Sequence, residues 1–383
     1  MIYADNAATM KISDLALEQM LPFLNMNYGN AASQYSIGVK AKRAMELARS
    51  QVAIAINAKN SEIIFTSGGS EANSWVLRSV LDSYSNEPIH IVTSAVEHPS
   101  VLNACRALEK KGASVTYLPV NGTGRVSADD VKNAITPFTR LVSIILANNE
   151  IGTIQPLEEI GRLMRDKGIL FHTDAVQAVG HIPVDVRSLN VDFLTASAHK
   201  FGGAKGTGIL YKRAEAKLTP LIFGGEQEQG FRAGTENVAG IVAAGFALEE
   251  SLSEMDNTAP RLIAMREATI EGIKRRIPFV KVNGNDEHRL PGIINLAFTG
   301  ASGESLMHLL DLKGICVSTS SACAAAKEVP PHVLLALGLS EQDAKSAIRI
   351  SYGKYNKIDE VSVIVAAVCD AYEKIRKAGQ SIY

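Results

Sequence analysis

Val191-Asp192-Phe193-Leu194-Thr195-Ala196-Ser197-Ala198-His199-Lys200-Phe201-Gly202-Gly203 joins an apolar run to a lysine and two glycines. Its apolar run reads as a buried strand, and a lysine follows where that strand ends. Desolvation and neighbouring cations lower an amine's pKa, and a neutral amine attacks a carbonyl to form a Schiff base. Upstream, residues 168–173 (GILFHT) end the same way, in Asp174, with Gln177 following. A lysine for an imine and an aspartate for a pyridinium nitrogen are the pair that a pyridoxal 5'-phosphate site requires.

On either side of it, short apolar runs alternate with amphipathic segments from about residue 60 to 211. Strands are expected over 62–66, 89–93, 114–118, 141–146, 169–173, 192–196 and 208–211. Helices are expected over 71–83, 100–111, 127–134 and 157–167, with Gly112 and Gly168 as stops. This is the α/β pattern of a mainly parallel sheet covered by helices. An Ala-rich helix begins over 239–250, and the polar segment 257–260 reads as a hinge to a smaller C-terminal domain. That domain is expected to carry helix 261–276, strands near 293–298, 316–318 and 347–351, and a closing helix over 359–377.

The bulk numbers exclude several classes. A chain of 383 residues suggests two or three domains. Net charge is -1, from 39 basic and 40 acidic residues, which leaves no electrostatic footprint for nucleic acid or an anionic membrane. The start, MIYADNAATM, has neither the basic nor the apolar region of a signal peptide, and no apolar run reaches membrane-spanning length. Cys105, Cys316, Cys323 and Cys369 form no CxxC or zinc pattern, so a reducing cytoplasm with a free thiol is expected. The 8 histidines lack HExxH spacing, and no metal site is expected.

Ligands of open α/β sheets gather beyond the carboxyl ends of the strands, and several polar clusters fall there. Ser67-Gly68-Gly69-Ser70-Glu71 opens a helix: its glycines let backbone approach a phosphate, and Ser70 adds a hydroxyl or simply caps the helix. Ser197 and His199 are further phosphate donors. Residues 202–208 (GGAKGTG) lack Walker A order and read as a tight turn. His98, in Glu97-His98-Pro99-Ser100, either stacks on a planar cofactor and shuttles protons or is only a turn residue. Asn148-Asn149-Glu150 offers amides to a cofactor oxygen or a carboxylate, or forms an Asx-turn.

Arg349 alternates with Ile348 and Ile350, as a solvated edge-strand arginine or a bidentate clamp for an α-carboxylate. Cys323 lies among nine small residues, 318–326, where a thiol sits on a mobile arm or at a helix start. Cys316, among apolar neighbours, reads as structural, whereas Cys323 reads as accessible for nucleophilic attack.

Taken in order, these motifs resemble the cysteine desulfurases of the NifS/IscS type, within class V of the pyridoxal-phosphate-dependent aminotransferases of fold type I. The resemblance covers nearly the whole chain: 4–9, 29–33, 66–73, Glu97-His98, 148–152, 172–177, 197–200, 232–237, Ser321-Ala322-Cys323 and Arg349. It implies three parts: an N-terminal segment, 1–15, packing on the small domain, a large cofactor-binding domain, 16–256, and a small domain, 257–383.

By the same resemblance Lys200 would hold pyridoxal phosphate as a Schiff base and Asp174 would keep its ring nitrogen protonated. Gln177 and Asn149 would lie near the ring oxygen, and His98 would stack on the ring and move protons. Gly69, Ser70, Ser197 and His199 would bind the phosphate, joined by Thr235 from the opposite subunit, which implies a homodimer. Arg349, assisted by Asn149, would clamp the carboxylate of L-cysteine. Freed by the substrate, Lys200 would act as base, and Cys323 would take the sulfur as a persulfide, release alanine and pass the sulfur to an acceptor protein. A selenocysteine lyase, another class V enzyme or an inactive partner-binding scaffold remains as the alternative.

The chain departs from the family's usual Ala-Thr at Gly69-Ser70, where serine keeps the hydroxyl. It also has Thr319-Ser320-Ser321 where Ser-Gly-Ser is usual, which is expected to stiffen the segment before Cys323. The chain stops soon after its expected last helix, at Tyr383, which leaves an iron–sulfur scaffold, a tRNA-thiolation protein or another carrier as the acceptor.

Overall fold

A computed structural model describes residues 1–84, 87–285, 287–319 and 330–380. Cys323, with Ser320 and Ser321, lies outside the described residues.

The chain opens on a two-residue strand, β1 (Ile2–Tyr3). The strands of the main sheet follow: β2 (Ile63–Thr66), β3 (His90–Ser94), β4 (Ser114–Leu118), β5 (Thr139–Ser143), β6 (Leu170–Asp174), β7 (Phe193–Ser197) and β8 (Gly208–Lys212). Their order is β2-β8-β7-β6-β5-β3-β4. β8 runs antiparallel to both neighbours, and the other recorded pairings are parallel. The carboxyl ends of β2, β3, β5, β6 and β7 therefore point the same way.

Helices cover both faces, as the continuous apolar runs require. Alternation along β2 sends Ile63 and Phe65 into one core cluster, while Ile64 enters the other beside Trp75 of helix Gly69–Ser83. β5 begins two residues earlier than expected. Ile144 and Leu146 still donate to the His172 and Asp174 carbonyls, which carries the chain forward to Asn148.

Four short strands follow in the C-terminal part and a fifth lies nearer the end: β9 (Lys281–Asn283), β10 (Ile293–Ala297), β11 (Ile315–Cys316), β12 (Ser318–Thr319) and β13 (Ala347–Ser351). β11 pairs with β1, while the other four form a sheet ordered β12-β13-β10-β9. The single strand expected over 316–318 is thus two strands in different sheets. β13 is internal and wholly buried, so Arg349 is no solvated edge residue.

The expected hinge at 257–260 is instead the middle of one helix, Val238–Arg276, with Pro260 inside it. An interior proline costs about 3 kcal/mol, because it removes a hydrogen bond and crowds the preceding turn. Packing at both ends offsets this. Ile241, Ala244 and Leu248 share the large core with Ala41, Met45 and Ala48 of helix Ser36–Ala55, which the apolar pattern did not reveal. Leu262, Met265 and Ile273 join a second core with Ile364 and Val368 of helix Glu360–Gln380. Gly245 permits the first contact, since a Cβ there would lie 2.7 Å from Ala48 Cα. The helix is a beam shared by two cores. Ala4, beyond β1, belongs to the second core, whereas Ala7 and Ala16 belong to the first.

Candidate active site

The large sheet presents Asp174 at the end of β6 and Lys200 just beyond β7. Asp174 is 3% exposed. Its Oδ2 accepts from Asn73 Nδ2 at 2.6 Å and its Oδ1 from the Val176 N–H at 3.0 Å. Both donors are neutral, so this buried carboxylate suits a cationic N–H presented by a ligand.

Lys200 Nζ donates to the Ala7 carbonyl at 2.7 Å and the Ala8 carbonyl at 2.8 Å. The Ala7 carbonyl also accepts from Gln177 Nε2 at 2.8 Å. The amine thus rests on the N-terminal segment, which runs between the two cores. Thr9 of that segment meets His199, whose Nδ1 is 3.1 Å from Thr9 Oγ1. Burial, with Lys200 and Lys205 nearby, pushes the His199 imidazole down to about 4, so it is neutral near pH 7.

His98 caps helix Pro99–Glu109: its Nδ1 accepts from the Ser100 N–H at 3.1 Å and lies 2.7 Å from Ser100 Oγ. Neutral His98 therefore carries its proton on Nε2. Burial lowers its pKa, with Asp174 opposing and Lys200 reinforcing the shift. Glu97 beside it is fully buried and pushed up to about 8, chiefly by desolvation, so it is protonated at neutral pH. It is fixed by Ser94 Oγ and the Ile145 N–H, at 2.6 and 2.8 Å. Its carbonyl lies 2.9 Å from His332 Nε2.

Helix Gly69–Ser83 begins without a side-chain cap. Ser70 lies inside the first turn and is exposed, so it is not the capping residue, and the helix start remains available to an anion. A Cβ on Gly69 would come within 2.7 Å of Val176 Cγ2 and 3.8 Å of Ser197 Cβ. The helix start therefore abuts the ends of β6 and β7, and buried Ser197 sits beside Gly69. Thr235 is exposed, in the loop before helix Val238–Arg276, and Arg232 of that loop pairs with Glu71 at 3.0 Å.

The C-terminal part contributes Arg349. Its Nη1 donates to the Asn149 carbonyl at 2.9 Å and its Nη2 to Asp5 Oδ1 at 2.7 Å. The Nε atom is buried without a hydrogen-bond partner among the described residues. The Asx-turn belongs to Asn148, whose Oδ1 accepts from the Glu150 and Ile151 N–H groups. Glu150 is pushed up to about 8 by burial, which Arg349 only partly opposes.

The residues converge on a ligand with three features: a carbonyl for Lys200, a protonated ring nitrogen for Asp174, and a phosphate for the uncapped helix start with Ser197. Pyridoxal phosphate has all three. Sequence reasoning did not single out Asn73, Asp5, or the Ala7 and Ala8 carbonyls. For Asn73 a signal existed, since it falls four residues after Gly69 on one helix face.

A family model described as aminotransferase class-V matches residues 2–364. A cysteine desulfurase IscS of Clostridium botulinum is 47% identical over 366 residues, covering 95% of this chain and 92% of that protein. Among solved structures, a NifS-like protein superposes with a TM-score of 0.91 at 38% identity, covering 96% of this chain and 98% of that one. A structure of SspA in complex with cysteine superposes with a TM-score of 0.84 at 35% identity, covering 93% of this chain and 100% of that one.

Proposed function

The chain belongs to the aminotransferase class-V family, and from that premise we propose that it is a cysteine desulfurase dependent on pyridoxal phosphate. The observation that carries this reading is the convergence of Asp174, Lys200 and His98 at the strand ends with Arg349 from the C-terminal part. Near-full-length similarity to proteins named for this activity supports it.

Bound there, the cofactor supplies an electron sink conjugated to the α-carbon of an amino-acid substrate. Asp174 orients a ring N–H, and Gly69, Ser70, Ser197 and His199 receive the phosphate. Gln177 and Asn149 flank the ring oxygen. Arg349 receives the α-carboxylate of L-cysteine with a charge-assisted fork, and its buried Nε makes no hydrogen bond among the described residues. Lys200 Nζ takes the proton from the substrate α-carbon, and His98 moves protons through Nε2. The Cys323 thiolate attacks the substrate sulfur. An S–S bond forms as the Cβ–S bond breaks, the released electron pair is protonated at Cβ, the α-carbon regains a proton from Lys200, and alanine leaves.

The active unit in this reading is a cytoplasmic homodimer in which Thr235 reaches the partner's phosphate site. Exposed Leu21, Leu24, Met26 and Tyr28, together with Phe223 at 85% exposure, support an apolar contact surface. The sulfur passes from Cys323 to an acceptor protein of iron–sulfur assembly or thiolation. Division into an N-terminal segment 1–15, a large domain 16–256 and a small domain 257–383 belongs to the same reading. The test is to incubate the loaded enzyme with L-cysteine and map a mass gain of one sulfur atom onto the Cys323 peptide. Absence of both that gain and sulfide release sinks it.

A further inference from the structure

We propose that Asn73 is a positioning residue that ties the Asp174 carboxylate to the His98 imidazole through one amide group. The inference rests on the cofactor reading above for the role of Asp174, and on hydrogen-bond geometry for the link itself.

Asn73 lies on helix Gly69–Ser83, one turn beyond Gly69, and is 1% exposed. Asparagine is a poor residue for a helix interior, so its place there calls for a reason beyond propensity. Its Nδ2 is 2.6 Å from Asp174 Oδ2 and 2.9 Å from Ser100 Oγ. A side-chain amide has two N–H donors on one nitrogen, and these two acceptors use both. The amide cannot be reversed without setting its oxygen against a carboxylate oxygen. Its Oδ1 is instead left buried without a partner among the described residues, a cost tolerated to keep the nitrogen where it is.

The second branch continues to the histidine. Ser100 Oγ accepts from Asn73, so its own proton is directed to His98 Nδ1, 2.7 Å away. That nitrogen already accepts from the Ser100 N–H. Two donations to Nδ1 hold the neutral ring with its proton on Nε2 and fix the plane of the imidazole. The groups whose charge acts on His98 are Asp174, Lys200 and His332, so the network works within a field set from β6, the turn after β7 and helix His332–Ala336.

Two measurements on the full-length chain test the link without using cysteine turnover. The first is pyridoxal phosphate binding to the cofactor-free protein, followed by absorbance. The second is titration of His98 by NMR on histidine-labelled protein. Asn73→Ala removes both branches: the expected result is cofactor affinity weakened tenfold or more and a His98 titration moved upward, because the Ser100 hydroxyl, no longer held as an acceptor, is less firmly directed to neutral Nδ1. Ser100→Ala removes one branch, so the His98 titration moves upward while cofactor affinity stays within twofold. Asn73→Leu, matched in shape, replaces Asn73→Ala if the smaller side chain unfolds the protein. An Asn73 variant that is folded yet keeps cofactor affinity within twofold, or leaves the His98 titration unmoved, overturns the proposal. If the unsubstituted chain binds no cofactor, the cofactor reading falls, and the His98 titration alone decides the Asn73–Ser100 link.

Discussion

Arg349 Nη2 lies 2.7 Å from Asp5 Oδ1, joining positions 344 residues apart in the chain. The guanidinium is thereby fixed with Nη1 on the Asn149 carbonyl and Nε unpartnered among the described residues. Lysine would keep the charge and lose the planar fork. Arg349→Lys is therefore expected to raise KM for L-cysteine by roughly 10- to 100-fold, since hydrogen bonds to charged groups contribute about 1.5–3 kcal/mol. Cofactor absorbance should not change. Steady-state kinetics with an absorbance scan checks both, and an unchanged KM removes Arg349 from carboxylate binding.

Gly69 departs from the alanine usual at this position in the family it resembles, and the structure gives a partner for that departure. A Cβ there would sit 2.7 Å from Val176 Cγ2, two residues after Asp174. Helix propensity favours Gly69→Ala by up to about 1 kcal/mol, whereas crowding costs about 1–3 kcal/mol. Crowding should win. Chemical denaturation is expected to show net destabilisation of about 1 kcal/mol, recovered when Val176→Ala is added. Additive effects of the two substitutions would show that the contact relaxes freely.

Much of the large sheet was legible because strands covered on both faces read as apolar runs, and the site residues follow their ends. Helix Ser36–Ala55 was not, because small residues such as Gly38, Ala41 and Ala48 and polar ones such as Arg49 and Gln51 make up most of its buried face, between exposed charges. Pro260 hid the continuity of helix Val238–Arg276, which packing at both ends maintains. Arg349 is buried on an internal strand and paired with Asp5, a contact that local pattern cannot encode. Asn73 falls within the motif 66–73, but its link to Asp174 and Ser100 is visible only in the distances.

Stability should peak near pH 6.5. Glu97 and Glu150 rise from 4.5 when unfolded to about 8 when folded, so their contribution is complete below 4.5 and fades as pH climbs through 8. His172 and His199 fall from 6.5 to about 3 and about 4, so theirs is complete above 6.5 and fades on acidification. Burial also lowers His90 and His181, adding to the acid side. Denaturation midpoints measured from pH 5 to 9 should trace this maximum, and Glu97→Gln should flatten the alkaline decline. A decline of equal steepness in that variant would mean Glu97 is already ionised in the folded protein.

In the proposed reading Lys200 holds the cofactor and Cys323 serves only as sulfur acceptor, so their substitutions should separate cleanly. Lys200→Ala removes the amine held between the Ala7 and Ala8 carbonyls. It is expected to abolish the visible absorbance of covalently held cofactor and all turnover. Cys323→Ala should keep that absorbance and lose sulfide release from L-cysteine in the presence of a reductant. Spectra and sulfide assays on the two proteins check the pair. Full sulfide release by Cys323→Ala would mean that sulfur leaves by another route, and the lysine-centred site would then serve a reaction without a persulfide on this residue.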